Sequence, residues 1–60
     1  MNRKHYEAIA EALRPGREHD EGEIETLNNA AERIAAELKA LEKNFDYERF
    51  LAAAGHRDFA

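Results

Sequence analysis

From Ile24 onward the apolar positions are Ile24, Leu27, Ala31, Ile34, Leu38, Leu41 and Phe45, separated by alternating intervals of three and four. That alternation is a heptad seam, with Ile24, Ala31, Leu38 and Phe45 at one core position and Leu27, Ile34 and Leu41 at the other. It predicts a helix over about 21–44, its seam roughly 33 Å long at 1.5 Å per residue. Ala30 and Ala35 broaden the apolar face and let a neighbour approach closely. Arg33–Glu37 and Lys39–Glu42 are spaced to pair on its surface. Asp20 followed three residues later by Glu23 is a capping-box pattern, and Glu21, Glu23 and Glu25 complement the positive end of the helix dipole. Gly22 weakens that first turn.

Two shorter helices flank this one. Tyr6, Ile9, Ala10 and Leu13 make one apolar stripe over residues 3–14, with Asn2 as N-cap and Pro15-Gly16 as terminator. Its first turn holds Arg3, Lys4 and His5, which oppose the dipole: a solvated end, or a basic contact patch. A third helix is expected over 46–54. Asp46 caps it, Phe45 and Phe50 form a hydrophobic staple, and Tyr47, Phe50, Leu51 and Ala54 make its stripe. Gly55 stops it, and residues 56–60 are expected to be a mobile tail. The short loop Gly16–His19 makes the first two helices an antiparallel hairpin. The fold expected for residues 1–60 is therefore one all-α domain, a helical hairpin plus a short third helix.

Length and composition sharpen this picture. A 60-residue chain is near the lower limit for folding alone, and burial in so small a domain barely offsets the entropy of ordering it. Without cysteine, disulfides and thiolate metal sites are excluded, which leaves oligomerisation as the stabilising device. The long second helix exceeds what a first helix of about 12 residues can cover, and an uncovered Leu/Ile stripe is a large apolar patch. Packing within the chain accounts for part of the seam. The expectation for the rest is a homodimer in which two hairpins build a four-helix-like bundle. The flanking Glu23, Glu37 and Glu42 lack clear basic complements, so parallel and antiparallel pairing stay open.

The net charge of -4 is unevenly spread. Arg3, Lys4, Arg14 and Arg17 give residues 1–17 a balance of +2, whereas residues 18–25 carry -5. An acidic chain without a long basic stripe is a poor nucleic-acid binder. The third helix fails as a recognition helix, since Asp46, Tyr47, Glu48 and Phe50 lead it and Arg49 is its single base. No apolar run approaches a membrane span and no signal-type stretch follows Met1, so a cytoplasmic setting is expected.

Catalytic chemistry is missing from the pattern. His5, His19 and His56 stand at expected ends or loops, and His19 with Asp20, Glu21 and Glu23 lacks the i, i+4 ligand pair of a rigid metal site. Thr26, Tyr6 and Tyr47 are the only hydroxyls, with no histidine spaced to activate them. Neither an enzyme nor a cofactor is expected.

The two ends of the chain, Asn2-Arg3-Lys4-His5-Tyr6-Glu7-Ala8-Ile9-Ala10 and Asn44-Phe45-Asp46-Tyr47-Glu48-Arg49-Phe50-Leu51-Ala52-Ala53-Ala54-Gly55, resemble small uncharacterised proteins of actinobacterial phages and prophages. Those open with R-K-x-Y and close with F-D-x-x-R-F-L-x-A-x-G around a variable middle. The resemblance covers about a third of the chain and leaves out the acidic loop. It implies a phage product in a bacterial cytoplasm and carries no activity. The function expected is a non-catalytic accessory module that binds a host or phage protein. Its candidate surface is Arg3, Lys4, Arg14 and Arg17 with Glu21, Glu23 and Glu25. A nucleic-acid accessory protein, or an acidic mimic using Glu18–Glu25, is the alternative.

Overall fold

A computed structural model describes residues 2–59 as three helices: α1 (Arg3–Leu13), α2 (Glu21–Leu41) and α3 (Tyr47–Ala53). Each begins at the expected cap. The Asn2 side chain accepts from the His5 backbone N–H while Asn2 N–H donates to His5 Nδ1, so His5 completes a capping box. Asp20 and Glu23 exchange the same two bonds at 2.8 and 2.9 Å. Asp46 accepts from Arg49 N–H at 3.1 Å. Much of the 18–25 acidic run is thus committed to starting a helix.

α2 ends earlier than the seam predicts. Glu42 leaves the helix at φ -134°, and the Lys39 ammonium turns to the carbonyls of Lys43 (2.7 Å) and Phe45 (3.2 Å). Both carbonyls belong to the loop after α2, so Lys39 ties that loop to the helix end. Phe45 therefore reaches the core from a loop, not as the last turn of a continuous helix.

The hairpin is antiparallel: the Tyr6 hydroxyl near the start of α1 donates to the Glu42 carboxylate just past the end of α2. The core comprises Ala10 of α1, Ala31, Ala35 and Leu38 of α2, Phe45, then Phe50, Leu51 and Ala54. Tyr6, Phe45 and Phe50 pack in sequence, edge-on and then tilted, with ring centroids 4.9 and 5.5 Å apart, which realises the expected staple. Alanines at the crossings let the helices approach closely, and Leu51 is the one large side chain wholly buried among the described residues.

The heptad seam is divided by this packing. α2 turns Asn28, Ala31, Ala35 and Leu38 inward, a face rotated roughly 50° about the helix axis from the seam's centre at 3.6 residues per turn. Ala31, Leu38 and Phe45 are inside, Ile24, Leu27 and Ile34 are half-buried, and Leu41 is 80% exposed. The reason is steric, since the short helices press closest where α2 offers alanine.

The tail also departs from expectation over its described residues, Ala60 lying outside them. Gly55, at φ 71°, ends α3 with Gly55 N–H on the Ala52 carbonyl and His56 N–H on that of Leu51, a Schellman closure. His56 is then buried, and Phe59 packs edge-on against Tyr47 and His56. The Asn28 side-chain oxygen accepts from Arg57 N–H at 2.9 Å. Asp58 N–H donates to His56 Nδ1, which places the ring proton on Nε2, 3.5 Å from Glu32. Residues 56–59 are docked on α2 rather than loose.

Candidate interaction surfaces

Two grooves open on the surface among the described residues. The first is a groove of about 620 Å³ between α1 and α3, floored by Tyr6, Phe45 and Phe50. Arg3, Arg14 and Arg49 stand on its walls beside carboxylates that include Glu7 and Glu11. Arg3 pairs with Glu7 at 3.6 Å, and Arg14 Nη1 donates to the Ala53 carbonyl at 3.4 Å, bridging the ends of α1 and α3. The Glu42 carboxylate that receives the Tyr6 hydroxyl raises that phenol's pKa above its ordinary value. The hydrogen bond is the main cause, with burial and the carboxylate's charge adding to it.

The second surface is the outer shoulder of α2. A shallow groove of about 580 Å³ there is lined by Ala30, Arg33, Ile34, Ala36, Glu37 and Leu38. Leu27 and Leu41 stand one heptad to either side of Ile34 on the same shoulder. Among the described residues, the expected Arg33–Glu37 pair does not form. Ion pairs among the described residues lie elsewhere, and Lys39 is engaged by backbone carbonyls.

The residues predicted as a partner surface do not form one patch. Arg3 and Arg14 share the α1/α3 groove, whereas Lys4 and Arg17 are exposed outside it. Glu21 faces Arg57 at 4.0 Å, Glu23 is bound in its capping box, and Glu25 is exposed. Arg49, the single base of α3, lines the same groove as Arg3 and Arg14.

Of the histidines, His5 is exposed at the start of α1 as expected, whereas the other two are wholly or partly buried. His56 is buried, and half-buried His19 accepts Gly16 N–H at 2.8 Å to close its turn. The docking of Arg57 on Asn28 had no local signature, since the two residues stand 29 positions apart.

Among the described residues, no group of three or more His, Cys, Asp or Glu could hold a metal ion. No helix is long and apolar enough to cross a membrane. No protein-family model, curated protein or solved structure matches the chain.

Proposed function

We propose that this chain is a non-catalytic protein-interaction module that works as a homodimer, joined through α2, with the α1/α3 groove left to engage a target protein. The observation that carries the reading is the division of the α2 seam. Ala31 and Leu38 are buried within the chain and Ile34 packs partly against that core, while Leu27, Ile34 and Leu41 line an outward shoulder that no described residue covers fully. A 60-residue domain with an alanine-rich core gains stability by burying such a shoulder. The groove suits a peptide or helix better than a phosphate backbone, because carboxylates stand among its arginines. The resemblance at the two ends supports a phage accessory role in a bacterial cytoplasm, with a host or phage protein as target.

Sedimentation equilibrium is the test. A dimer is expected at tens of micromolar, and a strict monomer throughout that range overturns the reading. A gel-shift titration over salt addresses the nucleic-acid alternative, for which salt-sensitive binding lost on changing Arg3, Arg14 and Arg49 would speak.

A further inference from the structure

The α2 shoulder carries a pattern that specifies how a second copy would lie on it. At 3.6 residues per turn, Leu27, Ile34 and Leu41 fall within roughly 40° of one another about the helix axis. They are evenly spaced, so the row reads the same in both directions with Ile34 at its centre. Ala30 and Glu37 lie on the flank turned away from the core face, and Arg33 lies just beyond them. Glu23, also on this line, is held in its capping box at the start of the helix.

We propose that α2 pairs with α2 of a second copy in antiparallel orientation about a two-fold axis at Ile34, closed by reciprocal Arg33–Glu37 ion pairs. This rests on the homodimer reading and adds its geometry. Antiparallel pairing sets Leu27 opposite Leu41 of the second copy, and Ile34 opposite its own counterpart. It also turns the outward flanks toward each other, as antiparallel helices bring like heptad positions together. Arg33 then comes within about 3 Å, along the axis, of the level of Glu37 in the second copy, at 1.5 Å rise per residue.

Both charges are available, because no ion pair joins them within the chain. A parallel pair instead turns that flank toward Ala31, Ala35 and Leu38 of the second copy, which α1 and α3 already cover. It leaves Glu37 with no base opposite. Charge complementarity therefore selects a second copy of this chain as the occupant, and selects its direction. With three large apolar residues from each copy the interface is small, so affinity in the micromolar range is expected.

The chain has no cysteine, which permits a clean cross-linking test. Chains carrying Leu27→Cys and Leu41→Cys are mixed in a glutathione redox buffer. The expected product is the mixed 27–41 disulfide, with little cross-linking of either chain alone. Disulfides between identical chains at both positions would overturn the antiparallel geometry while leaving the homodimer standing. No disulfide in any mixture, with a monomer by sedimentation, would remove both. Leu41 is exposed, so its change does not threaten the fold, and circular dichroism verifies the Leu27 variant.

Charge variants give a second, independent reading. Glu37→Arg alone should weaken dimerisation at least about tenfold, a change of about 1.4 kcal/mol. The double exchange Arg33→Glu with Glu37→Arg should restore it to within about threefold. Equal weakening by the single and double variants would refute the reciprocal pairs.

Discussion

Gly55 lies so close to Arg14 that a Cβ built on it would stand 3.0 Å from the Arg14 Cγ and 3.3 Å from the Pro15 Cδ. The end of α3 is thereby seated on the end of α1. Two constraints coincide there, since Gly55 also has a φ of 71°. Gly55→Ala should destabilise the domain by about 1–2 kcal/mol from the left-handed conformation alone, with the crowding adding to it. A urea melt with an unchanged midpoint would contradict this account.

Gly22 is the opposite case. A Cβ there would make only ordinary contact with the Asp20 carboxylate, 3.5 Å away, and the position is helical and exposed. Gly22→Ala should add about 0.5–1 kcal/mol by reducing the freedom of the unfolded chain. Asp20→Ala should cost about 1 kcal/mol, because Glu23 N–H loses its acceptor. Thermal melts of the two variants should move in opposite directions by several degrees.

Leu51 is fully enclosed, and around it most core positions are alanine or phenylalanine. Leu51→Ala should cost about 2–5 kcal/mol, which for so small a core is comparable to the whole stability. Loss of most helical circular dichroism at 25 °C is the expected result, and a cooperative melt near that of the parent would refute it.

The Tyr6–Glu42 hydrogen bond gives stability a defined alkaline limit. The folded-state pKa of Tyr6 is raised, so the native state holds the phenolic proton more tightly than the unfolded chain does. The contribution is fully present below the ordinary tyrosine value and is lost as pH rises through the elevated one. Tyr6→Phe should lower stability at neutral pH and flatten the alkaline fall. Parallel parent and variant curves from pH 8 to 11 would show that the bond is not formed in solution.

Local signals were legible in the sequence. Asn2, Asp20 and Asp46 cap the helices they precede, and Pro15-Gly16 and Gly55 end those they follow, because a cap or stop acts within a few residues. The seam was legible as a pattern but not in its use. Periodicity gives the apolar positions, whereas the small side chains of Ala10 and Ala54 decide which α2 residues are approached closely. Asn28 and His56 gave no warning of burial. One is polar in mid-helix and the other follows a helix stop, and only the docking of residues 56–59 on α2 encloses them. Arg3, Arg14 and Arg49 likewise share a groove only through the packing of α3 beside α1.

Among the described residues, four of the eight buried apolar ones are alanine: Ala10, Ala31, Ala35 and Ala54. Such an interior selects substitutions by bulk before polarity. Serine or glycine at these positions trims or adds little, whereas valine or leucine must push two backbones apart. Drift within a lineage of this protein should therefore spare its smallest residues while its exposed leucine, Leu41, answers to whatever lies against it.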